Sequence, residues 1–404
     1  MLTSRTQWRG TVPNYDVSVP LDTDYYELFR DVPAADRAFW DRARAFAIET
    51  LDEVTEAWDK AEYPLHLVRK LGELDLLTDG VVGPGLTPMS PLAAGLVNME
   101  ISRGDGSMGT VVAVQGGLAL RSIALFGSDA QKAEWLVPLA RAEKLGAFAL
   151  TEPDHGSDSV ALETTATRDG DEWVITGEKK WIGNGSVGDV TVVWARDDDG
   201  NVRGFLVPQD TPGYQAQTIT GKGSLRGIHQ ARIVLDNVRV PLDALLPGTR
   251  TFKDTATVLF ATRLGVAWSA LGHATAVFEA ALSYSNQRIQ FGKPLAGFQL
   301  VQERLTRMLS QLTAMQLYCL RLAELDAAGT MRPIQASLAK YHNTRAAREI
   351  AATARDVLGG NGILLENHVI RHLADIESLH TYEGTESVQS LLIGRDLTGV
   401  SAFR

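Results

Sequence analysis

Apolar positions along the 404-residue chain change period twice, and the changes divide it into three. From about residue 32 to 146 they recur every three or four positions, the spacing of amphipathic helices. Ala34 to Asp59 has an apolar face with no internal Pro or Gly, and Pro91 to Arg103 and Gln131 to Glu143 read as further helices. The Gly-rich runs between them read as turns. From about 147 to 248 short β-prone runs take over: Trp173-Val174-Ile175-Thr176, then Val190 to Ala195 and Val202 to Val207 around a hairpin turn at Asp197 to Asn201, then Ala231 to Leu235 and Val238 to Val240. From about 252 the pattern is helical again. Val301, Leu305, Met308, Leu312, Met315, Cys319 and Leu322 step alternately by four and three, a heptad seam within a helix from about 298 to 327. Met308, Met315 and Cys319 are therefore read as core. A second helix runs from Pro333, a good first-turn residue, to Leu358 and stops at Gly359-Gly360.

The strands lie together rather than alternating with helices, which argues against a doubly wound parallel sheet. Gly359-Gly360-Asn361-Gly362 follows a helix, the wrong context for a dinucleotide fingerprint. The predicted fold is α+β. An extension at 1–30 packs on the body, followed by an N-terminal α-helical domain at 31–146, a middle antiparallel β domain at 147–250 and a C-terminal four-helix bundle at 251–404.

Composition narrows the function classes. Lys and Arg number 39 against 49 Asp and Glu, a net charge of −10, so nucleic acid is a poor partner. The one cysteine, Cys319, permits neither an intrachain disulfide nor a multi-cysteine zinc site. Met1 to Gly10 has no apolar signal core, no run of about 18 apolar residues predicts a membrane span, and Ser401 to Arg404 is neither a peroxisomal nor a lipidation signal. A cytoplasmic location is expected. His368 and His372 have a chelating spacing, but no zincin Glu lies between them, so no metal is expected.

Four segments hold more polar and glycine residues than packing needs. Thr151 to Asp158 clusters short hydrogen-bonding side chains around a glycine turn. Lys180 to Gly185 sets Trp181 beside a donor-rich turn suited to covering a planar ring. Arg288 to Leu295 offers a guanidinium fork for phosphate. Thr381 to Thr385 puts Glu383 just before a last helix, Glu386 to Thr398, whose positive end favours a carboxylate. Taken singly, each reads as readily as a loop, a core-Trp turn, a solvated helix end or a helix cap.

In order, they are specific. Leu150-Thr-Glu-Pro with Gly-Ser-Asp158, Trp181-Ile-Gly-Asn184, Arg288 with Gln290-Phe-Gly292, Leu358-Gly-Gly-Asn-Gly362 and Tyr382-Glu-Gly-Thr385 resemble the acyl-CoA dehydrogenase/oxidase flavoproteins over residues 35 to 404. The C-terminal stretch is most similar to glutaryl-CoA dehydrogenases and related short-chain acyl-CoA oxidases. The resemblance implies FAD between the β domain and the bundle, and a base that removes the α-proton of an acyl thioester while the β-hydrogen leaves as hydride. It implies Glu383 as base, with Glu386 a weaker alternative and Glu377 without a role. It implies that Leu150, Thr151, Ser157, Trp181, Gly183 and Thr385 contact FAD, and that Arg288, Phe291, Gly359, Gly360 and Gly362 hold the ADP part of a neighbouring subunit's FAD. Ser157, Arg263, Tyr382, Gly384 and Gly109 are the implied substrate contacts, Arg263 through the CoA thioester arm and adenine end. A homotetramer follows.

Two departures matter. Gly183 stands where most dehydrogenases carry Thr, whose hydroxyl contacts flavin N5. The electron acceptor is thus an electron-transfer flavoprotein or O2. Gly109 stands where glutaryl-CoA dehydrogenases carry the Arg that pairs with a distal carboxylate, and the acid and Ser assisting that Arg fall on Ser102 and Ala113. The expected reaction is dehydrogenation of a short acyl-CoA without a distal carboxylate. The alternatives are an oxidase releasing H2O2 and a decarboxylating glutaryl-CoA dehydrogenase. A flavin monooxygenase of this fold needs no base such as Glu383, and a helical scaffold without chemistry would be colourless.

Overall fold

The computed structural model describes residue 21 and residues 23–403, so most of the extension read at 1–30 lies outside the described residues. Within it, Phe29 is buried against Trp40 and Trp268.

The N-terminal helices are α1 (Ala34–Glu49), α2 (Leu51–Lys60), α3 (Leu65–Glu73), α4 (Pro91–Gly104), α5 (Gly106–Val112), α6 (Arg121–Phe126) and α7 (Asp129–Ala140). The helix expected over Ala34 to Asp59 is broken at Thr50, whose hydroxyl donates to the Phe46 carbonyl at 2.8 Å while its backbone leaves helical geometry. The larger correction concerns the Gly-rich run before residue 127, which is helix rather than turn. A π-helical segment, Ala113–Leu120, joins α5 to α6. Its glycines serve close packing: a Cβ on Gly116 would collide with the Leu77 carbonyl, and one on Gly117 would lie 2.7 Å from Asp79 Oδ2. Gly106–Phe126 is, by length and composition, apolar enough to cross a membrane, although Gln115 and Arg121 interrupt it; 67% of its most apolar stretch is buried inside the fold.

The strands β1 (Gly146–Ala149), β2 (Thr165–Asp169), β3 (Glu172–Gly183), β4 (Val190–Arg196), β5 (Val202–Pro208), β6 (Tyr214–Thr218) and β7 (Gln230–Pro241) form one sheet of order β1-β4-β2-β3-β7-β6, with β5 paired to β4. The two runs expected around residues 231–240 are one strand. The sheet is mixed rather than wholly antiparallel, because β1 pairs with β4 in parallel and β2 touches β4 in parallel at one position. Residues between β1 and β4 cross over through the β2–β3 hairpin, so β1 arrives in the same direction as β4. Apolar clusters cover both faces of the sheet.

Two bulges interrupt β3 against β7, and the second, between Lys179 and Ile182, puts Trp181 at φ 66° with 55% of its surface exposed. Bulges re-aim side chains in this way near functional sites. Gln115, in the π-helical segment, ties the helical layer to the sheet. Its amide donates to the carbonyls of Leu139 and Lys144, both at 2.8 Å, and its oxygen accepts from Gly146 N–H at 2.9 Å.

The C-terminal helices are α8 (Phe252–Gln287), α9 (Gln299–Ala327), α10 (Pro333–Val357), α11 (Val369–Thr381) and α12 (Glu386–Thr398). The heptad seam of α9 is buried from Met308 onward, and Cys319 accepts from Asn343 Nδ2 at 3.3 Å. A two-stranded hairpin, β8 (Ile289–Gln290) with β9 (Lys293–Pro294), joins α8 to α9.

Candidate active site

Helix α11 ends at Thr381 and α12 begins at Glu386, and the turn between them presents Glu383 at φ 55° and Gly384 at φ 84°. Glu383 Oε2 accepts a hydrogen bond from Thr262 Oγ1 on α8 at 2.9 Å, which leaves Oε1 uncommitted. Gln389, fully buried, donates to the backbone carbonyls of Glu383 at 2.9 Å and Gly384 at 3.1 Å. Lys340 on α10 donates to the carbonyls of Tyr382 and Gly384. Burial raises the Glu383 carboxyl above its usual range, and the Thr262 hydroxyl, Arg263 and Lys340 only partly offset it. Thr385 caps α12, its hydroxyl accepting from Val388 N–H at 3.2 Å.

The neighbouring acids are otherwise engaged. Glu386 pairs with Arg345 at 3.0 Å and His380 at 2.9 Å, and Glu377 pairs with Arg348 at 2.8 Å. Arg263 lies inside the fold, where burial lowers its pKa and Glu383 opposes that shift; its Nε is buried without a partner. Its guanidinium is within electrostatic reach of Glu383.

The helical stretch 106–126 is the spine of the site. At one end Thr110 lies in hydrogen-bonding relation to the Tyr382 phenol. In the middle, a Cβ on Gly183 would be 2.8 Å from Val114 Cγ2. One turn further, a Cβ on Gly117 would be 3.1 Å from Thr262 Cγ2. The stretch thus links the Trp181–Gly183 strand end to the Glu383 turn. Gly109 is buried, and a side chain there would collide with Ser102 Oγ, itself buried with no hydrogen-bond partner.

Leu150 and Thr151 follow β1, and Thr151 accepts from Lys180 N–H at 2.9 Å. Behind them, Lys179 and Glu152 form a buried ion pair at 2.9 Å. Lys179 also donates to the Leu150 and Trp194 carbonyls, and Glu152 accepts from the N–H groups of Glu163 and Thr164 and from the Thr164 hydroxyl. The indole of Trp181 and Ser157 are exposed, whereas Gly183 is buried, packed against Val114.

Arg288, Phe291, Gly359 and Gly360 are not brought to Glu383. Arg288 N–H donates to the Tyr284 carbonyl at 2.9 Å, and Asn361 donates to the Tyr284 hydroxyl at 2.9 Å, so the hairpin and the Gly359–Ile363 turn sit together. Phe291 is 95% exposed, and a Cβ on Gly292, Gly359 or Gly360 would meet nothing within 4 Å. Thr262 lies 26 residues before Arg288 along α8, roughly 39 Å at the helical rise. His372 faces His273 at 2.8 Å between ring nitrogens, and no group of three metal-ligating side chains occurs among the described residues.

Thr262, Lys340, Gln389 and Val114 were not singled out from the sequence. A lysine on the buried face of α10, between Ala339 and Asn343, was a readable signal; the other three carried none.

Comparison with known proteins adds the following. Residues 33–143 match "Acyl-CoA dehydrogenase, N-terminal domain", 147–238 the middle domain and 252–398 the C-terminal domain of the same family. The chain is 35% identical over 378 residues to the mitochondrial short-chain specific acyl-CoA dehydrogenase of Bos taurus, covering 91% of each. A crystal structure of glutaryl-CoA dehydrogenase from Mycobacterium smegmatis is similar at TM-score 0.91 and 44% identity, covering 93% of this chain and 97% of that one. A glutaryl-CoA dehydrogenase structure from the same organism, in complex with FADH2, is similar at TM-score 0.91 and 40% identity, covering 94% and 98%.

Proposed function

Because this chain belongs to the acyl-CoA dehydrogenase family of FAD-dependent oxidoreductases, we propose that it dehydrogenates a short acyl-CoA without a distal carboxylate, using Glu383 as base. The observation that carries this reading is the Glu383 turn: a carboxylate raised by burial, with one oxygen held by Thr262 and the other uncommitted. Oε1 takes the α-proton. A carboxyl pKa raised by burial makes the group a stronger base than an exposed glutamate. As in the family it resembles, the backbone N–H of Glu383 serves as donor to the thioester carbonyl, where developing enolate charge is stabilised by preorganised donors. Trp181 and Thr151 would help to hold FAD, which would supply the hydride acceptor for the β-hydrogen.

With Gly109 at this position, residue 109 supplies no cation for a distal carboxylate. A distal carboxylate placed there would meet no cation from residue 109, at a desolvation cost of about several kcal/mol. The relatives carry both short-chain and glutaryl names, so substrate choice rests on this pocket. At the other end, the Arg288–Gly360 cluster lies too far from the Glu383 turn to serve its own chain's flavin, which supports a homotetramer whose sites are built from two subunits. Gly183 leaves the acceptor as either an electron-transfer flavoprotein or O2.

The test is anaerobic flavin bleaching by a panel of acyl-CoAs, repeated in air. Butyryl-CoA should bleach the flavin faster than glutaryl-CoA, and no crotonyl-CoA should form from the latter. Glu383→Gln should hold FAD and lose bleaching. Full reduction in that variant removes Glu383 from the role.

A further inference from the structure

Lys340 is a buried cation that the reaction above does not use. It sits on the inner face of α10 with Ala336, Ser337, Ala339, Asn343 and Thr344, all buried. A lysine in such a place is costly unless its N–H groups are satisfied. Two of them go to the carbonyls of Tyr382 and Gly384, the residues on either side of Glu383. For both carbonyls to face one ammonium, the chain between them must double back. It turns with Glu383 at φ 55° and Gly384 at φ 84°, the former a conformation uncommon for a non-glycine residue.

We propose that Lys340 is the positioning residue of the base, bracketing Glu383 through its two flanking carbonyls and holding the carboxylate in its working orientation and charge. The proposal rests on the assignment of Glu383 as base. The charged and titratable groups facing Lys340 are Glu383 from the turn, Arg263 from α8 and His380 from α11. Burial, with Glu383 opposing and Arg263 assisting, brings the Lys340 ammonium down to about 7. Its charge therefore changes within the pH range in which the base works. While charged it holds the Glu383 pKa down, so its removal must move the acid limb of flavin reduction upward.

The experiment is stopped-flow anaerobic flavin reduction by butyryl-CoA across pH, using the FAD-bound full chain. Lys340→Met should hold FAD with a near-parental KM, reduce its flavin roughly ten- to a hundredfold more slowly, and shift the acid limb up by about one pH unit. Lys340→Arg keeps the charge and donors and should recover most of the rate, with its limb at or below the parental one. A parental rate and limb in Lys340→Met overturns the proposal. If Lys340→Met loses FAD, Lys340→Arg decides, and an upward shift of its limb by more than about half a pH unit overturns it. Loss of FAD by both variants while Glu383→Gln keeps it would assign Lys340 to folding alone, which also overturns it. Active Glu383→Gln would instead remove the base assignment itself.

Discussion

At Gly183 a missing side chain is matched by one on the neighbouring helix. Val114 Cγ2 stands 2.8 Å from where a Cβ would begin, so a threonine there requires the valine to move. Gly183→Thr alone should cost about 1–3 kcal/mol by overpacking, read as a lowered Tm, and Gly183→Thr with Val114→Ala should recover most of it. Equal melting of single and double variants would show that the two positions do not compete. The repacked double variant also tests whether a hydroxyl at this strand end changes oxygen uptake under turnover. Glu383 could be found from sequence because its neighbours Tyr382, Gly384 and Thr385 travel with it as a local segment. Thr262 and Lys340 could not, because they reach the same turn from 121 and 42 residues away, and only the fold brings them there.

Among the elements, the loop after β1 is held by a buried ion pair whose two pKa shifts act on stability in opposite directions. Burial is outweighed for Glu152 by Lys179 and three donors, bringing its carboxyl to about 2, while burial brings Lys179 down to about 8 despite Glu152. The Glu152 shift favours the folded state above its ordinary pKa, and that gain is lost as pH falls toward 2. The Lys179 shift disfavours the folded state below about 8 and is relieved as pH rises from there toward 10.5. The two shifts act in opposite directions on stability near neutrality, and the hydrogen bond from Lys179 to the Leu150 carbonyl makes the pair a tether for the loop that carries Thr151. Lys179→Met, which strands a buried carboxylate, should cost about 3–5 kcal/mol in urea unfolding. The double variant with Glu152→Gln should cost clearly less than the sum of the singles; strict additivity would rule out the coupling. Strands β3, β4, β5 and β7 were legible because β-branched and aromatic residues cluster within each run, whereas β1, β2 and β6 were not read from the sequence. The helix over 106–126 was not, since Gly106, Gly109, Gly116 and Gly117 are poor helix formers. Their reason is tertiary: each allows contact with His273 and Asp375, Ser102, Leu77 or Asp79 that a side chain would prevent. The parallel β1–β4 pairing was hidden for a similar reason, because strand direction depends on the crossover and not on the strand's own residues.

For the whole molecule, the question is whether one chain can complete its own site. Glu383, Thr262 and Trp181 belong to one region, whereas Arg288, Phe291 and the Gly359–Gly360 turn occupy an exposed cluster beyond the far end of α8. A closed symmetric assembly would resolve this, because an isologous interface would let each chain lend its cluster to the partner that borrows from it. The consequence is complementation between two inactive variants. Glu383→Gln retains the Arg288 cluster but lacks the base, and Arg288→Glu retains the base but presents a repelling charge to a phosphate. Each should be inactive alone. Co-expressed, they form mixed pairs in which the Arg288→Glu chain supplies Glu383 and the Glu383→Gln chain supplies Arg288. Random pairing then restores roughly a quarter of the parental sites. Activity after co-expression, absent when the separately purified variants are combined without subunit exchange, is the expected outcome. If every site were built from one chain, the mixture would stay as inactive as its parts.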